Sequence, residues 1–232
     1  MFGKNQIEKQ NLGDGKTLRI VAGSPWFTIQ GEGPYAGHPA IFIRLHGCML
    51  RCHFCDTNFD NPKDPIVDIN WLLNEIKKLP INVPPQLCVI TGGEPTNQNI
   101  TLLINNLHKA GYKVQIETAG VNWIDNLDQI AEIICSPKTP TIHPKVLSTA
   151  KAFKYVISAA QQFDRFIPIM GTQPGVRAVA LAAPRLHAPV YLSPMDEYDE
   201  IKNAANRKLV GKLAMRYGCI AAIQLHKFLE QD

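Results

Sequence analysis

Ala40-Ile-Phe-Ile-Arg44-Leu-His-Gly-Cys48-Met-Leu-Arg-Cys52-His-Phe-Cys55-Asp-Thr57 is the stretch on which the rest of the chain turns. Residues 40–45 form an apolar run of strand length and read as a buried strand. Three cysteines follow at once in a C-x3-C-x2-C spacing, so three thiols share one tight loop at a strand's C-terminal end. In open α/β sheets and barrels that end is where ligands bind.

Three soft thiolates so close together suit a soft metal centre. Iron–sulfur clusters are usually held by four Cys thiolates. A loop that offers three leaves one iron open to a small molecule. Zinc is a second reading, as Cys3His with His46 or His53 as the fourth ligand, although structural zinc sites more often show two separated cysteine pairs. Disulfides or uncombined thiols are a third. The spacing alone leaves these alternatives open.

Composition narrows the class. The chain has 232 residues, enough for one domain with a substantial core. It is 45% hydrophobic and 19% charged, ordinary for a globular protein. A net charge of +4 without a dense basic run is not a nucleic-acid footprint, though it would help draw in an anionic small molecule. No apolar run reaches the roughly 18 residues of a membrane span, and the polar first residues lack the apolar core of a signal peptide. A cytoplasmic, reducing location is therefore expected, which also suits thiolate ligands.

Outward from the cysteine loop, the pattern alternates strands with helices. Strands are expected at about residues 18–22, 87–91, 113–117, 132–135, 153–157, 190–192 and 220–225. Asp68 can cap a helix over about 69–79, where Ile69, Leu72, Leu73, Ile76 and Leu79 share one face and Pro80 stops it. Further helices are expected over about 99–110, closed by Gly111, and 202–217, followed by Gly218. Residues 137–144 and 184–189 read as loops. Such alternation argues a parallel sheet with right-handed crossovers. Six or seven units are too few for an eight-fold barrel, so the expected fold is α/β, an open, partial parallel β/α barrel. Residues 1–17 read as an N-terminal extension to a single domain over 18–232. Cys88, Cys135 and Cys219 lie in or beside apolar runs and read as small buried hydrophobes.

The cysteine triplet after a first strand resembles the radical S-adenosylmethionine (SAM) enzymes. The flanking words resemble, within that superfamily, the 7-carboxy-7-deazaguanine synthases. These words are Thr28-Ile-Gln-Gly-Glu-Gly33, Pro39-Ala-Ile-Phe-Ile-Arg44, Cys55-Asp-Thr57, Ile90-Thr-Gly-Gly-Glu-Pro95, Gln115-Ile-Glu-Thr118, Ser136-Pro-Lys138 and Gln224-Leu-His-Lys227, in order to the C-terminus. The resemblance implies a partial barrel with a reduced helix complement. It implies a [4Fe-4S] cluster on Cys48, Cys52 and Cys55, and SAM held by Phe54, Asp56, Gly93, Glu94, Ser136, Pro137, Lys138 and Ser193. It places a magnesium ion at Thr57, and a pterin substrate among Ile29, Gln30, Gly31, Glu32, Arg44 and Thr91, with His226 a weaker candidate at the end of the last strand. The implied reaction converts 6-carboxy-5,6,7,8-tetrahydropterin to 7-carboxy-7-deazaguanine by radical ring contraction with loss of ammonia. A flavodoxin or ferredoxin would supply the electron, and the enzyme would be a homodimer, without membrane or nucleic-acid partners.

Without that resemblance several of these residues have plainer readings: Gly92-Gly93 a turn, Asp56-Thr57 a cap, Lys138 a solvated charge. Ser193-Pro194 stands where the resemblance leads one to expect Gln-Pro, which puts the SAM contacts of that strand in question. Two rivals remain: a radical SAM activase of a glycyl-radical partner, and a non-catalytic, zinc-stabilised binding module.

Overall fold

The computed structural model describes residues 6–231 except 56, 58, 84–85, 172–174 and 176. In chain order the strands are β1 (Thr17–Arg19), β2 (Trp26–Ile29), β3 (Pro39–Leu45), β4 (Ile66–Asp68), β5 (Leu87–Gly92), β6 (Lys113–Thr118), β7 (Glu132–Cys135), β8 (Ala152–Ile157), β9 (Gln162–Asp164), β10 (Ile167–Met170), β11 (Val179–Ala180), β12 (Val190–Pro194) and β13 (Ile220–Ala221). The helices are α1 (Ile69–Lys78), α2 (Thr101–Lys109), α3 (Leu127–Ile130), α4 (Pro144–Thr149), α5 (Glu200–Tyr217) and α6 (Leu225–Phe228).

Eight strands form the central sheet, in the order β13-β12-β8-β7-β6-β5-β3-β2. Every pairing in it is parallel except that of β2 with β3. The edges, β2 and β13, do not pair with each other among the described residues, so the barrel is open. Its helix complement is reduced as expected: α3 has four residues and α4 six. Among the described residues, the passage from β8 to β12 carries no helix but the small antiparallel sheet β11-β10-β9.

Residue alternation along the strands decides what each face does. Ile41, Ile43, Ile90, Ile116, Phe153 and Tyr155 are buried in the main core together with Leu72 and Ile76 of α1 and Leu103, Ile104 and Leu107 of α2. The intervening residues belong to the other face. Ala40, Leu87 and Val89 pack there with Phe42, and Arg44, Glu117 and Lys154 line a cavity. Helix α1 starts where the sequence says it should. The Asp68 carboxylate accepts from Trp71 N at 2.9 Å, a cap worth about 1 kcal/mol. Ile69, Leu72 and Ile76 supply the buried stripe, and Leu72→Ala would cost about 2–5 kcal/mol through the void it leaves.

Two expectations are corrected, and one element is new. The strand expected over 18–22 ends at Arg19 and pairs with β4 in a separate two-stranded sheet. The last strand stops at Ala221, paired with only Tyr191 and Leu192 of β12, and the chain turns into α6, so His226 and Lys227 are helical rather than at a strand end. The antiparallel edge strand β2 was not anticipated at all.

Candidate active site

The carboxyl ends of the parallel strands open onto one cavity of about 770 Å³. Cys48, Cys52 and Cys55 line it together with Phe54, Thr57, Gly93, Ser136, Lys138 and Ser193. So do Ile29, Gln30, Glu32, Arg44, Thr91 and His226. Residues far apart in sequence thus converge on one mouth, as the strand order requires.

The cysteine loop is built from its backbone. Gly47 N donates to Phe59 O at 2.9 Å, and Cys55 N to Cys52 O at 3.1 Å. Cys48, Leu50, Cys52 and Phe59 form a small buried cluster of their own. The six cysteines form no disulfide. Burial pushes the Cys48 thiol up to about 12, with Glu94 adding to the rise; a metal would have to displace its proton on binding.

The next loop docks tightly against this one. Gly93 N donates to Leu45 O at 3.1 Å and Glu94 N to Gly47 O at 2.9 Å. A Cβ on Gly93 would meet Gly47 O at 2.2 Å, so only glycine allows this approach.

Glu94 does not line the cavity. It is 1% exposed, and its carboxylate accepts from Thr96 N, Thr96 Oγ1, Thr118 Oγ1 and Ala119 N. Gly31 and Pro137 also stand back from the cavity wall; Gly31 O instead accepts from Leu225 N at 3.1 Å and so anchors α6. Asp56 lies outside the described residues.

Beyond β7, Lys138 Nζ donates to Ser136 O at 3.0 Å and to Ser136 Oγ, and stands 5.7 Å from the centre of the Phe54 ring. Burial pulls its ammonium below the usual lysine range, with the Cys52 thiol opposing. Arg44 lies over the Trp26 ring at 5.4 Å and donates to Thr57 Oγ1.

The sequence reading named Glu32 but missed its partners Lys154 and Glu117, which complete the charged centre of the cavity. Lys154, 5% exposed, reaches from β8 to Glu32 Oε2 at 2.7 Å and to Glu117 Oε2. Gln30 and Gln115 each donate to Glu117 Oε1 at 2.9 Å, and Gln224 to Glu32 Oε1 at 2.8 Å. Burial would raise the Glu32 carboxyl, but the Lys154 charge and hydrogen bond bring it down to about 2. Burial would lower the Lys154 ammonium, but Glu117 and Glu32 raise it above the usual range. A signal was present: polar Lys113, Gln115 and Glu117 alternate with apolar residues in one strand, and Lys154 stands alone inside the apolar strand Ala152–Ile157.

Two hydroxyls on the cavity wall, Thr28 Oγ1 and Ser193 Oγ, are buried with no hydrogen-bond partner. Such groups are costly unless a ligand completes them.

The donor set fits an iron–sulfur cluster with SAM. Three cysteines of one short loop line one cavity, and Cys thiolates are the ligands such clusters use. The zinc reading finds no support in the histidines. His46 Nδ1 is 2.7 Å from Asp64 Oδ2 and its Nε2 is 3.0 Å from Glu8 Oε1, while His53 hydrogen-bonds the backbone of Gly171.

Known proteins agree. Residues 42–167 match the family model of the radical SAM superfamily. A 7-carboxy-7-deazaguanine synthase of Rhodospirillum rubrum is 35% identical over 99% of this chain and 99% of its own. One of Rickettsia prowazekii is 38% identical over 99% of this chain and 95% of its own. The solved structure of QueE from Escherichia coli superposes with a TM-score of 0.64 at 23% identity, covering 90% of this chain and 95% of that one, a likeness of fold. None of these favours the activase or the binding module. The cysteine loop, the open barrel and the full-length match converge, and this chain belongs to the 7-carboxy-7-deazaguanine synthase family of radical SAM enzymes.

Proposed function

We propose that the chain converts 6-carboxy-5,6,7,8-tetrahydropterin to 7-carboxy-7-deazaguanine, a step of deazapurine and queuosine synthesis, by radical ring contraction. Loss of ammonia balances the atoms without net oxidation. The observation that carries this reading is the single cavity with three thiols on one wall and a carboxylate-sized cation, Arg44, with the Glu32–Lys154–Glu117 triad on another.

Cys48, Cys52 and Cys55 would hold the [4Fe-4S] cluster, whose fourth iron would take SAM. When bound, the pair supplies one-electron cleavage of SAM to a 5′-deoxyadenosyl radical that abstracts hydrogen, with a flavodoxin- or ferredoxin-like donor providing the electron. SAM would lie along Phe54, Gly93, Ser136, Lys138 and Ser193, with the unpartnered Ser193 hydroxyl facing it.

The chain's own part is positioning. Arg44 offers a planar fork to the substrate carboxylate. Glu32, kept ionised by Lys154, and Glu117 accept N–H groups of the ring. Thr28, with its unpartnered hydroxyl, and Gln30, Thr91 and His226 complete the rim. Leu50, Phe54 and Phe59 exclude water from the radical.

A magnesium ion at Thr57 would bind the hydroxyl oxygen that now accepts from Arg44. Magnesium prefers hard oxygens, and substrate and water would supply the rest of its shell. A homodimer is part of the same reading.

The test is direct. Anaerobically reconstituted protein, SAM, reductant and the carboxypterin should yield 7-carboxy-7-deazaguanine by mass, with ammonia. Cys52→Ala should bind no cluster and form no 5′-deoxyadenosine. Absence of product from protein that cleaves SAM would overturn the substrate assignment.

A further inference from the structure

Residues 6–12 lie across the cysteine loop as a strap. Ile7 forms a parallel bridge with Cys48, and Glu8 N donates to Cys48 O at 2.8 Å. Three residues on, the strap grips the neighbouring loop. Gln10 Nε2 donates to Thr96 O at 2.9 Å, Asn11 N to Asn97 O at 2.8 Å, and Asn97 Nδ2 to Glu8 O at 3.0 Å. The Glu8 carboxylate reaches His46 Nε2 at 3.0 Å, and the same ring is held from behind by Asp64. Glu8 also fills the space over Gly47, where a Cβ would meet Oε2 at 2.5 Å.

Cys48 and Asn97 follow adjacent parallel strands, β3 and β5. The strap therefore joins the loop that carries the first thiol to the loop that carries Gly93. We propose that it is a positioning element for the reaction, with Glu8 and Gln10 holding the Cys48 loop in register with the Gly93 loop. This rests on the reading above, in which Cys48 ligates the cluster and Gly93 borders SAM. Losing an outer group that orients a metal ligand typically costs about tenfold to a hundredfold in metal affinity or activity. The match to the Rhodospirillum rubrum relative covers 99% of this chain and so extends over this segment.

The experiment compares full-length wild type with Glu8→Ala, Glu8→Gln and Gln10→Ala after anaerobic reconstitution. Iron release to a chelator, the change in the electron paramagnetic resonance spectrum of the reduced cluster on adding SAM, and the thermal midpoint are read together. Glu8→Ala should release iron about tenfold faster, in keeping with the effect of such outer groups, and should blunt the SAM-dependent spectral change. Glu8→Gln, which keeps an acceptor for His46, should restore both. Gln10→Ala, at the other end of the strap, should lose the spectral change with near-normal iron retention, and it decides the matter if Glu8→Ala unfolds. Wild-type behaviour in both alanine variants overturns the proposal, as does a Glu8→Ala defect that Glu8→Gln fails to rescue. A wild-type protein that takes up no cluster would instead overturn the functional reading beneath it.

Discussion

Lys154 Nζ sits 2.7 Å from Glu32 Oε2 and also bonds Glu117, so two carboxylates that are distant in sequence share one buried cation. Removing one member of such a group leaves the others uncompensated, which typically costs about 3–5 kcal/mol. Lys154→Met should therefore lower the denaturant midpoint of the cluster-free protein and abolish turnover. Lys154→Arg, which keeps the charge, should recover most of the stability but not the substrate KM, because the guanidinium cannot reproduce a point charge between two carboxylates.

The same triad sets an acid limit. The Glu32 carboxyl titrates near 2 in the folded chain against 4.5 ordinarily. Between those values the unfolded chain binds more protons than the native one, so stability falls as pH falls. The contribution is complete above about 4.5 and is lost as pH falls toward about 2. Thermal midpoints of cluster-free protein measured through that window should drop, and Glu32→Gln should flatten the drop. An unaltered slope in the variant would mean that other carboxylates carry the acid sensitivity.

Arg44 is the group best placed for a carboxylate. Charge-assisted hydrogen bonds are worth about 1.5–3 kcal/mol, so Arg44→Ala should raise the KM for the carboxypterin about tenfold to a hundredfold. Iron and sulfide content should stay at the wild-type level. Unchanged substrate kinetics would remove Arg44 from the pocket. Thr57→Ala, which takes away the hydroxyl that Arg44 bonds, should blunt any stimulation by magnesium without altering cluster content.

Glu94 separates a scaffold role from a ligand role. Its carboxylate accepts four hydrogen bonds from two loops. Glu94→Ala strands those donors and should destabilise cluster-free protein by at least about 2 kcal/mol in urea. A variant as stable as wild type, yet unable to bind SAM, would return Glu94 to the cofactor.

The architecture was legible because hydrophobic periodicity and turn residues point the same way along most of the chain. Asp68, the stripe of Ile69, Leu72 and Ile76, and Gly218 at the left-handed end of α5 all stand where local rules put them. The cysteine loop was legible because its spacing is contained within eight residues. The Lys154 triad was not, because Glu32, Glu117 and Lys154 come from a loop and two strands, and only the sheet order brings them together. Glu94 was legible only in part, for a related reason. A carboxylate after Gly-Gly looks like a ligand until Thr96, Thr118 and Ala119 are seen to surround it. The strand expected over 220–225 failed because β13 pairs over only two residues before α6 docks through Leu225 on Gly31.

That short β13 has a consequence for handling the protein. A sheet that never closes leaves a ladder of amides and carbonyls ready to recruit a second chain and seed fibrils. Here the outermost rung is only Ile220–Ala221, and the chain then leaves the plane of the sheet. The template at this edge is too brief to propagate, so any recruitment of a second chain would have to start at the opposite edge, on the four residues of β2.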